Sequence, residues 1–192
     1  MMIKNKTETR GLILNTAAVL FRNKGYHATG LNEIIRESGA PKGCLYYHFP
    51  QGKEQLAQEA IKLVGLEIQA KMEKVFQVYD EPVQAIQEFI RQSTESIFTR
   101  AEDRRFSVSL LALETINMNE NLRQTCSEVF AAWEEVVYNK LCSGGFSPER
   151  ARSCSEMVIA MIEGAMTLSL TKRQPEALLS FADWAGRLLR QQ

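Results

Sequence analysis

The chain reads as an all-α protein, and three observations carry that reading. Apolar residues recur at helical spacing along nearly its whole length. No alternating run of β-branched residues is long enough for a strand. The prolines, at positions 41, 50, 82, 148 and 175, all fall at the edges of the apolar-periodic segments.

The first segment, residues 7–24, repeats Ile13, Ala17, Leu20 and Phe21, with Leu14 and Ala18 beside them. Thr7 suits its N-cap and Gly25 its stop. Residues 31–38 follow, with Leu31, Ile34 and Ile35 on one face and Gly39 at the end. Thr29 or Gly30 caps this helix, and Glu33 lies where a carboxylate favours a helix N-terminus. Pro41 fits the start of a third helix over 42–48. After the break at Pro50 and Gly52, a long helix is expected over 53–79, with Leu56, Ala60, Val64, Ile68, Met72, Val75 and Tyr79 on its stripe. Further helices are expected at 82–99, 103–117, 120–143, 148–172 and 175–190, with Gly144-Gly145 as a stop. The boundary is set near residue 50, giving domains of 1–52 and 53–192. The helix over 53–79 is expected to belong to both parts and to join them rigidly.

A chain of 192 residues, 45% hydrophobic, can bury a substantial core. It has no run of about 18 apolar residues, and its start, MMIKNKTETRG, has no apolar h-region. A soluble cytoplasmic protein with no membrane partner is expected. The net charge is zero but unevenly placed. Residues 1–60 hold eight basic residues against five acidic ones, a net of +3, which leaves −3 in the remainder. That asymmetry favours a polyanion partner for the N-terminal part. Cys44, Cys126, Cys142 and Cys154 form no C-x-x-C pair, so no zinc site is expected. They read as reduced thiols, mostly buried.

Residues 38–56, SGAPKGCLYYHFPQGKEQL, carry the clearest chemistry. A glycine-bearing turn feeds a short helix of positive and aromatic side chains, which suits the DNA major groove. At about 100° per residue, Lys42, Gly43, Tyr46 and Tyr47 share one arc, while Leu45 and Phe49 take the opposite side. Lys42 can reach guanine or phosphate, and Gly43 lets backbone approach closely. The tyrosines offer hydroxyls to phosphates and rings to thymine methyls or sugars. His48 lies between the arcs, for phosphate contact or partial burial. Lys53 adds charge near a helix N-terminus.

The apolar helix ending in LFRNKGYHATG, the EIIRESG segment and KGCLYYHF followed by K-E-x-L resemble the TetR family of bacterial transcriptional regulators. GYHATGLNEI, SGAPKG-LYYHFPxGKEQLA and the later EGAMTLSLT resemble its drug- and flavonoid-responsive, LmrA/YxaF-like subgroup. The resemblance implies a helix-turn-helix domain and a C-terminal helical domain for ligand binding and dimerisation. It implies a repressor that binds a palindromic operator in double-stranded DNA as a homodimer. By position it implies DNA contacts from Thr29, Asn32, Lys42, Gly43, Tyr46, Tyr47, His48 and Lys53. Gly30 stands where Thr or Ser is common, which assigns the cap to Thr29. Cys44 stands where Ser or Thr is common, as a small inward residue or a thiol switch.

The C-terminal part is rich in bulky apolar residues. Residue by residue these read as ordinary core, but the resemblance implies a pocket for a small hydrophobic effector, with Phe106, Leu110, Leu111, Met118, Phe130, Trp133, Met157 and Met161 as its expected lining. Glu114, Asn117 and Glu163 are the polar groups best placed to orient it, and each reads equally as a surface or capping residue. Ile159, Ile162, Ala165 and Leu168 recur helically, and apolar residues cover much of 178–189, so the helices at 148–172 and 175–190 are expected to form the dimer contact. Catalysis is not expected. The two histidines, His27 and His48, both precede residue 50, and no E-x-x-H, H-E-x-x-H, G-x-S-x-G or P-loop occurs. No cofactor is called for. The competing reading is a small-molecule-binding helical protein without DNA affinity, against which the Lys42–Lys53 set argues.

Overall fold

The computed structural model describes residues 6–99, 108–117 and 119–190. Among these, every regular element is a helix: α1 (Lys6–Ala28), α2 (Leu31–Ser38), α3 (Lys42–His48), α4 (Lys53–Val78), α5 (Pro82–Thr99), α6 (Val108–Thr115), α7 (Glu120–Ser143), α8 (Pro148–Lys172) and α9 (Glu176–Arg190). The expected segments match these closely. Of the segment expected at 103–117, residues 103–107 lie outside the described residues. The chain divides into two compact units. One falls within Met1–Gly65 and Val108–Ser127, the other within Leu66–Ser107 and Glu128–Gln192. α4 and α7 each contribute one end to each unit.

In the first unit, α2 and α3 pack on α1. Ile13, Ala17 and Phe21 of α1, with Ile34, Leu45, Phe49, Leu56 and Ala60, are all essentially without exposure. Each large side chain among them contributes about 1.5–3 kcal/mol by leaving water. Gly25 has φ 81° and ψ 175°, so the regular helix stops there, at the expected residue, and one short turn follows. Gly39 ends α2 at φ 64°, a left-handed conformation a side chain would strain, and its N–H donates to the Arg36 carbonyl. The turn Gly39-Ala40-Pro41 then starts α3, with Pro41 as N-cap.

In the second unit, α9 packs against α5 and α8. Gln87 Nε2 donates to the Ala182 carbonyl at 2.8 Å, and Arg150 donates to the Leu189 carbonyl at 2.7 Å. Leu178, Phe181, Ala182, Ala185 and Leu189 form the buried stripe of α9. Ser147 caps α8, accepting the Arg150 N–H, with Pro148 in the first turn. α8 is long and apolar enough to span a membrane by length and composition, with 22% of the relevant stretch buried. The cysteines depart from expectation. Cys126 is buried, which pushes its thiol up to about 11, whereas Cys44, Cys142 and Cys154 are only half-buried.

Candidate nucleic-acid interface

The two faces of α3 divide as the helical spacing predicts. Leu45 and Phe49 are fully buried, while Tyr46 is 49% and Tyr47 65% exposed. Lys42 and Gly43 are exposed as well, and His48 and Cys44 are half-buried. A seven-residue helix thus presents a cation, an approachable backbone and two aromatic hydroxyls on one side. The His48 ring meets Tyr47 edge-on at 4.9 Å, which orders the outer end of the arc. Asn32, on α2, is exposed. This arrangement offers hydrogen-bond donors and flat apolar surface to a nucleic-acid groove.

Two residues of the expected contact set are occupied differently. Thr29 is completely buried, and its hydroxyl donates to the Gly25 carbonyl at 2.8 Å. It neither reaches outward nor caps α2; Gly30 is the N-cap, with no side-chain bond. The reason is the break at Gly25, whose freed carbonyl takes the nearest hydroxyl. Lys53 is half-buried. Its ammonium lies 4.5 Å from the centroid of the Tyr26 ring and 3.4 Å from the His27 carbonyl. Burial lowers its pKa, and nearby Glu114 opposes that shift.

Ion pairs fix the helices behind this face. Lys24 at the end of α1 pairs with Glu33 of α2 at 2.5 Å, and Arg36 reaches both Glu33 and Glu37. The hydrogen bond from Lys24 holds the Glu33 carboxyl below the usual range. Asn121 of α7 donates to Glu54 at 2.7 Å. With Asn119 it lowers the Glu54 pKa.

The residues expected to line an effector pocket are divided between the two units. Phe106 and Met118 lie outside the described residues. On α6 the buried stripe is Val108, Leu111 and Thr115, so Leu110 faces away and is 47% exposed. Glu114 is engaged within the first unit, its carboxylate accepting the Tyr26 N–H at 2.5 Å, and Asn117 is exposed. In the second unit Phe130 and Trp133 pack edge-to-face at 5.6 Å, with Trp133 buried. Met161 and Glu163 are half-buried. Met157 is 50% exposed, because α8 turns Ala151, Ser155, Val158 and Ile159 inward and puts Met157 on the opposite arc. The tie between Glu114 and Tyr26 spans 88 residues, and no local pattern in the chain signals it.

Comparison with known proteins adds sequence-level findings to this geometry. Residues 13–60 match the family model of bacterial regulatory proteins of the tetR family. Residues 82–184 match that of the transcriptional regulator LmrA/YxaF-like C-terminal domain. The chain is 41% identical over 186 residues to the uncharacterized HTH-type transcriptional regulator YxaF of Bacillus subtilis, covering 97% of each chain. It is 41% identical over 183 residues to the HTH-type transcriptional regulator LmrA of the same organism, covering 95% of this chain and 97% of that one. Among solved structures, a TetR transcriptional regulator from Legionella pneumophila superposes with a TM-score of 0.81 at 19% identity, over 98% of this chain and 99% of the other. The regulator FadR from Bacillus subtilis in complex with stearoyl-CoA superposes with a TM-score of 0.72 at 18% identity, over 93% and 96%.

Proposed function

We propose that this chain, which belongs to the TetR family of bacterial transcriptional regulators and carries an LmrA/YxaF-like C-terminal domain, is a repressor released from its operator by a small hydrophobic effector. Its role as a DNA-binding transcriptional regulator follows from the family. The observation that carries the DNA-contacting part of this reading is the outward arc of α3. Lys42, Gly43, Tyr46 and Tyr47 face solvent while Leu45 and Phe49 hold the helix down. With Asn32, His48 and Lys53 they form the proposed DNA-contact set, in which Lys53 would turn outward on binding. The functional division is proposed as 1–52 for DNA and 53–192 for effector and dimer.

The dimer contact is proposed on α8 and α9. Outside their buried stripes, Met157, Leu168, Leu179, Trp184 and Leu188 remain 39–54% exposed. A second copy covering them would bury the apolar face that gives α8 its membrane-like composition. Two heads in one dimer suit a palindromic operator, with major grooves about 34–36 Å apart. An effector that prefers another head spacing weakens binding through its differential affinity, typically about 1–3 kcal/mol. For a hydrophobic effector, the stearoyl-CoA complex of FadR offers a precedent on this fold. Such a protein would work in the cytoplasm, where its DNA is.

A gel-shift on the region upstream of its own gene tests the reading. Retardation at low salt, reversed by a hydrophobic compound from a screened set, is expected. No retardation of that region would overturn it and favour a ligand-binding helical protein without DNA affinity.

A further inference from the structure

The last turn of α6 is tied into the end of α1. Glu114 precedes Thr115, where α6 ends. Its Oε2 accepts the Tyr26 backbone N–H at 2.5 Å, and its own carbonyl lies 3.3 Å from His27 Nε2. Gly25 stands directly before Tyr26 with non-helical angles. A Cβ at Gly25 would lie 2.2 Å from Glu114 Oε1, so the carboxylate fills the space a side chain would need. A backbone N–H at a helix break needs an acceptor from elsewhere, and a carboxylate is a strong one.

The segment 25–29 to which these residues belong is gripped from other sides. The Thr29 hydroxyl closes on the Gly25 carbonyl. The Lys53 ammonium sits against the Tyr26 ring and the His27 carbonyl. Gly30 follows at once as the N-cap of α2. Residues 25–29 are therefore the elbow through which α1 leads into α2 and α3. All the groups involved belong to the first compact unit.

We propose that Glu114 is a positioning residue for DNA binding, its carboxylate fixing the Gly25–Thr29 elbow and with it the direction in which α2 and α3 leave α1. The inference rests on the reading of α3 as the DNA-contacting helix. Without the acceptor the elbow samples other conformations, and apparent affinity falls by the fraction of heads left competent.

The test uses the full-length protein and a duplex enriched by the wild type from a random-sequence pool. Glu114→Ala removes the acceptor, whereas Glu114→Gln keeps a carbonyl acceptor and removes only the charge. Operator Kd is read by fluorescence anisotropy and the Tyr26 amide by hydrogen exchange. Glu114→Ala is expected to weaken binding about tenfold and to speed Tyr26 exchange by about as much, while Glu114→Gln stays within about threefold of wild type on both. The slope of log Kd against log salt should stay at the wild-type value in both variants, since no phosphate contact is lost. Wild-type affinity and wild-type Tyr26 exchange in Glu114→Ala would overturn the proposal, as would equal losses in the Ala and Gln variants. Should Glu114→Ala fail to fold, Glu114→Asp draws the acceptor back by one methylene. It is then expected to show the same paired loss, and wild-type behaviour on both readouts overturns the proposal. Failure of the DNA reading is distinct: the wild type would then enrich no duplex.

Discussion

The guanidinium of Arg10 lies over the ring of Phe49, 5.0 Å from its centroid, and also pairs with Glu59. Arg10 is on α1, Phe49 caps the end of α3 and Glu59 is on α4. One side chain therefore joins the scaffold helix to both ends of the Pro50 break.

That junction predicts a local stability effect. Arg10→Ala removes a partly exposed cation–π contact and a partly exposed ion pair, together about 1–2 kcal/mol. Arg10→Lys should recover less than half, since an ammonium cannot stack flat while pairing sideways. Urea unfolding monitored by hydrogen exchange at α3 amides measures both, and an Arg10→Ala loss below about 0.3 kcal/mol would contradict the junction's role.

The outward arc predicts binding losses without folding losses. Lys42→Ala should weaken all duplexes and lower the salt slope by about 1. Tyr47→Ala should weaken the preferred duplex more than a scrambled one. Both positions are exposed, so stability should stay within about 0.5 kcal/mol of wild type. A large drop in unfolding midpoint for either would reassign that side chain to packing.

Acid should loosen the first unit through two carboxyls. Glu33 is held below its usual range chiefly by the hydrogen bond from Lys24, and Glu54 by those from Asn121 and Asn119. A folded-state pKa lower than the unfolded one contributes stability above the unfolded value, and that stability is lost as pH falls. Melting temperature should hold from pH 7 to about 5.5 and decline below about 4.3. In Glu33→Gln the decline should be shallower; an unchanged acid profile in that variant counts against the Lys24 contact.

The dimer reading predicts that a charge on the exposed α8–α9 face splits the assembly. Leu168 and Trp184, 51% and 54% exposed, are the positions for Glu substitution. Sedimentation of Trp184→Glu with Leu168→Glu should give one chain per particle, with helical content retained and operator affinity reduced. A wild type that already sediments as a single chain would rule the face out.

The parts of the fold that were legible in the chain are those written in local chemistry. Pro41, Pro82 and Pro148 mark helix starts because a missing N–H costs least there. Gly39 marks a stop because α2 ends in a left-handed residue. The α3 faces were legible because a short helix with two buried apolar residues leaves its other side defined. Thr29 and Glu114 were not. Thr29 is a residue type that suits an N-cap, but Gly30 holds that position and the break at Gly25 offers the Thr29 hydroxyl a carbonyl four residues back. Glu114 reads as a polar group in an apolar segment, and its partner is a backbone N–H 88 residues away. Met157 follows helical spacing faithfully, yet spacing alone does not say which arc of α8 is covered.

The placement of α9 bears on how the protein is made. Every segment of the first unit has been synthesised once residue 127 is joined. The second unit instead waits for the final helix, because α5 finds its partner in α9, about ninety residues later, through Gln87 with Ala182 and Arg91 with Asp183. Translation therefore delivers the two units in a set order. A chain interrupted before Glu176 carries all the residues of the first unit and an open second one, with Gln87 and Arg91 lacking their α9 partners, and such a fragment is a ready substrate for proteases and chaperones.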